Sequence, residues 1–237
     1  MESIIEKIRE ELFTNSDEKI KSSGERFFKE EVKLYGLKSS HVARIGKDYF
    51  KLIKDMDKTE ILLLCEELWK SGYMEESFIV SNWAHALSGR YEQEDLVVFR
   101  HWIDTYITNW ASCDGFCNHT MGSFIEQYPE YIDELKCWTQ SQNRWMRRAA
   151  AVSLIVPAKQ GKFLKESLEI ADRLLTDTED IVQKGYGWLL KEVSRKHTSD
   201  VFSYVMKNKR VMPRTALRYA IELMPKDMKA EAMKKNW

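Results

Sequence analysis

The chain has 237 residues, 43% hydrophobic and 12% aromatic, the balance of a globular protein with a core of its own rather than of a disordered one. Its 37 Lys and Arg equal its 37 Asp and Glu, and no run of about 18 apolar residues exists, so no membrane span is expected. Only four Pro and ten Gly punctuate a chain rich in Lys, Glu, Leu, Met and Ala, which points to an all-α protein.

Helical periodicity runs nearly end to end. Ser3 to Phe13 puts Ile4, Ile5, Ile8 and Leu12 on one face. Ser16, Asp17 and Glu18 offer a cap for a second helix through Phe27, Phe28 and Val32, closed by Tyr35 and Gly36. Ser39 or Ser40 caps a third through Ile53, and Asp57 a fourth, which stops at Ser71 and Gly72. Further helices are expected at 75–87, 93–107 and 112–128, then from Pro129 toward Trp138. Asn143 to Ile155 is stopped by Pro157, and helices at 163–175, 177–196, 200–207, 213–223 and 226–235 complete the set. No segment alternates as a strand does. Short connectors make neighbours antiparallel, and a helix pair with its loops takes roughly 30–40 residues, the period of helical solenoids. No Gly-, Ser- or Pro-rich linker interrupts the chain, so one domain over 1–237 is expected.

The even net charge hides an asymmetry. Residues 1–142 hold 17 Lys and Arg against 26 Asp and Glu, whereas residues 143–237 hold 20 against 11. A basic half of this kind suits a polyanion, although a mixed surface with local fluctuation gives the same counts. The N-terminus is charged throughout, with no signal-peptide core, and Cys65, Cys113, Cys117 and Cys137 lack disulfide-framework spacing. A reducing cytoplasm is therefore the expected compartment.

Three stretches carry chemistry. In NWASCD, Trp110 and Asp114 stand four residues apart and share a helix face. Facing a cleft, the carboxylate can stabilise a developing cation and orient water, while the ring adds cation–π attraction. The alternative is a core indole beside an aspartate favoured by the helix dipole. In RWMRRAAA, Arg147 and Arg148 point in different directions, so each is either a phosphate contact or an inter-helix ion pair. In QKGYGWLLKE, Gly185 and Gly187 cost a helix about 1 kcal/mol each. Close approach of a helix or of a ligand backbone explains that cost, with Trp188 left accessible and Lys184 beside it as a phosphate contact. Further on, Arg214 and Arg218 share a face after Pro213, as phosphate contacts or as solvated arginines. Cys113, Cys117 and His119 fit no usual zinc spacing and lack a fourth ligand, so no metal is expected. Phosphate-loop, dinucleotide and hydrolase motifs are absent, and no cofactor is expected.

Taken in order, the W-x-x-x-D of Trp110 and Asp114, the Arg of WMRRAAA and the Trp of QKGYGW resemble the AlkD-like DNA alkylation-repair glycosylases, as does RTALRYAIE near the C-terminus. The resemblance covers nearly the whole chain. It implies a right-handed superhelical solenoid of HEAT-like antiparallel helix pairs with a concave DNA-binding face. The implied activity is metal-free excision of positively charged N3- or N7-alkylated purines from double-stranded DNA. Trp110, Asp114 and Trp188 match that family's catalytic cleft, and Arg148 matches its backbone-binding arginine. Three positions depart from the pattern. Phe27 stands where the best-known members carry Tyr, Val156 followed by Pro157 stands where they place a Lys, and residue 111 is Ala. A non-catalytic DNA binder and a protein-interaction solenoid are the rival readings, and a monomer is expected in each case.

Overall fold

The structure, a computed structural model, describes residues 3–234. Among them there is no β-strand, only an isolated bridge between Lys33 and Tyr73. The chain divides into two compact units, one ending at Thr120 and the other beginning at Met121.

Unit 1 opens with α1 (Ile4–Thr14), whose cap is reciprocal. Ser3 Oγ accepts the Glu6 amide at 3.2 Å, and the Glu6 carboxylate accepts the Ser3 amide at 2.7 Å. Next come α2 (Glu18–Glu25), α3 (Ser39–Ile53), α4 (Lys58–Lys70), α5 (Met74–Ala86), α6 (Asp95–Tyr106) and α7 (Trp110–Phe116). A π-helical turn, Cys117–Met121, follows α7. Asp17 and Asp57 cap α2 and α4 as expected, accepting the amides of Lys19 and Thr59 at 2.8 Å. Helices α3, α5 and α7 pack in succession, with α4 against both α5 and α6, and α1 against α3 and α4. Trp83 on α5 is fully buried and donates its indole N–H to the Gly46 carbonyl of α3 at 2.7 Å, so its polar atom is satisfied and ties the two helices together.

The second helix is shorter than its periodicity predicts. It ends at Glu25, and Phe27 and Phe28 lie in a turn outside it. Gly24 permits this, because a Cβ there would stand 2.7 Å from Leu34 Cδ1. Gly36 does not close the helix. Its φ of 98° belongs to the loop that returns beneath α2, where a Cβ would meet the Asp17 carbonyl oxygen at 2.4 Å.

Unit 2 contains α8 (Gly122–Gln127), α9 (Ile132–Trp138), α10 (Arg144–Val152), α11 (Ile155–Lys159), α12 (Leu164–Arg173), α13 (Asp180–Val193), α14 (Thr198–Asn208), α15 (Arg214–Ala220) and α16 (Lys226–Met233). Lys235, where the last helix is expected to end, lies outside the described residues. Pro129 opens a 3₁₀ turn ahead of α9, in keeping with a proline at a helix start. The expected helix over 143–155 is broken earlier, after Val152, so that Pro157 falls in the first turn of α11, where its missing N–H costs nothing. Helix α13 is the hub of the unit, packed against α10, α11, α12 and α15.

Candidate active site

The start of α7 is held by a polar relay. Asn109 Oδ1 accepts the Ser112 amide at 2.9 Å, and Asn109 Nδ2 donates to Ser112 Oγ at 3.1 Å. The Ser112 and Ser77 hydroxyls lie 2.7 Å apart, and Ser77 donates onward to the Met74 carbonyl at 2.7 Å. Asn109, Ser77 and Ser112 are all buried, so each donor has one acceptor and α7 is fixed to the first turn of α5. Trp110 and Asp114 follow one turn apart on this anchored helix, both half-buried.

Trp110 does not stand alone. Phe28 stacks on it with ring centroids 5.3 Å apart and planes 22° from parallel, and Phe27 lies 5.8 Å away, tilted by 59°. Phe27 is 72% exposed, so the cluster presents an aromatic edge to solvent. The resemblance marks only Phe27, whereas Phe28, expected in the same helix, lies outside it and supplies the closer stack on Trp110.

The loop that delivers these rings is pinned from α5. Glu75, buried, accepts the successive amides of Tyr35, Gly36 and Leu37 at 3.1, 2.8 and 3.2 Å. Glu76, fully buried, accepts the Tyr35 hydroxyl at 2.8 Å and pairs with Arg9 at 3.2 Å. Burial pushes the Glu76 carboxyl up from its ordinary range, against the pull of Tyr35 and Arg9. Burial and the neighbouring Glu76 also push the Tyr35 phenol up. Tyr35 stacks on Tyr73 with centroids 3.8 Å apart, and Lys33 Nζ lies 4.1 Å from the Tyr73 ring centre.

In unit 2 the two adjacent arginines of α10 have different surroundings. Arg147 pairs with Asp177 at 2.6 Å and donates to the carbonyls of Ser141 and Gln142 at 2.9 and 3.2 Å. That geometry ties α10 to the loop before α13. Arg148 is only 4% exposed and donates to the Ile181 carbonyl at 2.5 Å. A Cβ on Gly185 would stand 3.3 Å from its Cγ, so this glycine makes room for the arginine. Gly187 makes room for α15, where a Cβ would meet Tyr219 Cβ at 2.8 Å and the Ala216 carbonyl oxygen at 2.9 Å. Of the two explanations for these glycines, close packing within the protein accounts for both.

Trp188, next to Gly187 on α13, is half-buried. Lys184 pairs with Asp180 one turn away at 2.8 Å and keeps its side chain 35% exposed. Arg214, at the start of α15, donates from one nitrogen to Met233 Sδ at 3.2 Å and has no hydrogen-bond partner at Nη1. Arg218, one turn further, is exposed. Val156 is half-buried in the first turn of α11 and Ala111 half-buried in that of α7. Among the described residues, no three His, Cys, Asp or Glu side chains are grouped to hold a metal ion, and no helix is long and apolar enough to cross a membrane.

The model of a family described as DNA alkylation repair enzyme matches residues 8–224, and the chain belongs to that family. No curated protein matches the sequence. A predicted DNA alkylation repair enzyme from Enterococcus faecalis superposes with a TM-score of 0.80 at 17% identity, over 89% of this chain and 97% of that one. AlkD2 from Streptococcus mutans gives a TM-score of 0.58 at 20% identity, over 78% and 97%. The alkylpurine DNA glycosylase AlkC from Pseudomonas fluorescens, bound to DNA containing an abasic site analog, gives 0.55 at 17% identity, over 92% of this chain and 61% of that one. At these identities the likeness is one of fold, and the all-α fold expected from the periodicity is the fold of these proteins.

Proposed function

We propose that this chain is a DNA glycosylase of base-excision repair that hydrolyses the N-glycosidic bond of positively charged N3- or N7-alkylated purines in duplex DNA. The observation that carries the reading is the Trp110–Asp114 pair, held on a helix whose start is locked to α5 and flanked by the rings of Phe27 and Phe28. A cationic alkylpurine needs no general acid. The bond from C1′ to the purine nitrogen breaks, its electron pair stays with the base, and the base leaves neutral. Water then adds at C1′ and loses a proton, giving an abasic site. Asp114 stabilises the oxocarbenium-like sugar and orients that water. Trp110 and Trp188 contact the sugar and backbone of the lesion nucleotide, with Phe27 beside Trp110.

Lys184, Arg214 and Arg218 bind phosphates in this reading: Lys184 and Arg218 keep exposed donors, and Arg214 is half-buried at the start of α15. Arg148, buried against Gly185, adds positive charge from within unit 2 and fixes α10 on α13. The pairing of Arg147 with Asp177 makes its part structural. Neither a metal nor a cofactor takes part. The protein works as a monomer in a reducing cytoplasm, and Cys65, Cys113, Cys117 and Cys137 remain thiols. Incubation with N-methylated duplex DNA tests the function, with free 7-methylguanine and abasic sites as the expected products. Salt-sensitive DNA binding without base release would instead indicate a non-catalytic binder of DNA. Failure to bind DNA at low salt would indicate a protein-interaction scaffold.

A further inference from the structure

A groove of about 480 Å³ lies in unit 1, lined by none of the residues assigned above. Ser39 and Ser40 of α3, Asn82 and His85 of α5, and His119 of the π-turn line it together with Phe78, and none of its lining residues is acidic. The imidazoles of His85 and His119 stand with ring centroids 5.5 Å apart, and both residues are exposed. Crowding by its surroundings, and then the His119 ring, hold His85 below the ordinary histidine range, while a hydrogen bond to the His119 backbone pulls the other way.

We propose that this groove is a phosphodiester subsite for duplex DNA, in which His85 and His119 hold a backbone phosphate and couple its binding to proton uptake. The inference rests on the DNA-binding reading above and adds to it a second contact area and a pH response. Two imidazolium ions this close repel each other, which disfavours charge on His85 while no anion lies beside it. An anion between the rings reverses that balance and draws protons in. Hydroxyl, amide and imidazole groups can all donate to phosphate oxygens. Helix α3 begins at Ser39 without a side-chain cap, which leaves first-turn amides and the positive end of its dipole at the same place. The space exceeds what one phosphate fills, and Phe78 with Ala43 adds apolar lining for a sugar.

His119 is the titratable group that faces His85. The groove residues of α3, Ser39, Ser40 and Ala43, do not titrate, and α7 contributes Gly115, which follows Asp114. Helix α4, also packed on α5, buries only uncharged residues: Ile61, Leu62, Cys65, Leu68 and Trp69. Arg90, in the turn after α5, is engaged with the carbonyls of Lys54 and Met56 at 3.4 and 3.1 Å. Asp17, Lys38, His41 and Arg44 are the charged and titratable residues that line the adjoining depression, and Arg44 meets His41 at 2.7 Å.

The test is fluorescence anisotropy with a labelled, unmodified duplex at pH 8 and pH 5.5 over a series of salt concentrations, on wild type, His85→Ala/His119→Ala and His119→Lys. Wild type should bind about tenfold more tightly at pH 5.5, the effect of taking up one proton over this range. The double variant should lose most of that gain, and its salt slope should fall by about one phosphate's worth. His119→Lys, charged at both pH values, should bind at pH 8 about as tightly as wild type does at pH 5.5. Unchanged pH response and salt slope in the double variant, with DNA binding intact, would overturn the subsite and leave the glycosylase reading untouched. Wild type that fails to bind DNA at low salt would overturn both.

Discussion

Phe28 lies nearly parallel to Trp110, their ring centroids 5.3 Å apart, although the two residues are 82 positions apart and Phe28 sits in no helix. The stack fixes the orientation of the indole one turn before Asp114. Phe28→Ala should therefore cost about 1–2 kcal/mol of stability through lost burial and the aromatic pair. Base release should fall further than that loss of stability explains. Urea unfolding and single-turnover excision, measured side by side, check both parts.

The two glycines of α13 respond oppositely to the same change. Gly187→Ala puts a methyl against the Ala216 backbone and the Tyr219 Cβ, which cannot yield without moving α15. The gain in helix propensity, about 1 kcal/mol, is outweighed, and a net loss of about 1–3 kcal/mol is expected. Gly185→Ala meets only the Arg148 and Val152 side chains at 3.3–3.6 Å, so its stability should stay within about 1 kcal/mol of wild type. Thermal unfolding of the two variants separates these outcomes.

Arg147 and Arg218 make a second contrast. Arg147→Ala removes the ionic partner of Asp177, whose side chain is only 9% exposed and keeps the Glu179 amide as a donor, and should destabilise by roughly 3 kcal/mol. Arg218→Ala removes an exposed charge and should leave stability within about 0.5 kcal/mol. The same variant should lower the salt slope of DNA binding by about one, and denaturant titration beside a salt series of binding constants checks the pair.

Glu76 imposes a pH dependence of unusual sign. Burial raises its carboxyl in the folded state above the ordinary value near 4.5, so the folded chain holds a proton that the unfolded chain has released. Its contribution to stability therefore declines as pH rises from about 4.5 through the raised value. Glu76→Gln keeps an acceptor for Tyr35 and removes this titration. Relative to wild type, the variant should gain stability across that window and then level off, as read by urea unfolding between pH 4 and 7.

Much of this fold is written in local signals. Asp17 and Asp57 each precede an apolar period and each caps a helix, whereas the helix expected from residue 112 begins at Trp110 under the Asn109 cap. What local pattern cannot carry is a contact made from far away. The periodicity of α2 continues through Phe28 and Val32, yet Glu75, about 40 residues on, takes the Tyr35, Gly36 and Leu37 amides and holds that stretch as a loop. Arg147 and Arg148 are the same type of residue in the same helix. Asp177 and Ile181, both distant in sequence, give them their separate surroundings. The placement of Trp110 and Asp114 one turn apart on a single helix was legible because four residues make about one helical turn, whereas the stack of Phe28 on Trp110 had no signature beyond two adjacent aromatic residues.

The central claim is that the Asp114 carboxylate stabilises the sugar cation as the base departs. Single-turnover release of 7-methylguanine from N-methylated duplex DNA, wild type beside Asp114→Asn, tests it most directly. The amide keeps the size of the side chain and loses its charge, so the account predicts a fall of about a hundredfold or more, with DNA affinity nearly unchanged. Release by Asp114→Asn at the wild-type rate would contradict it.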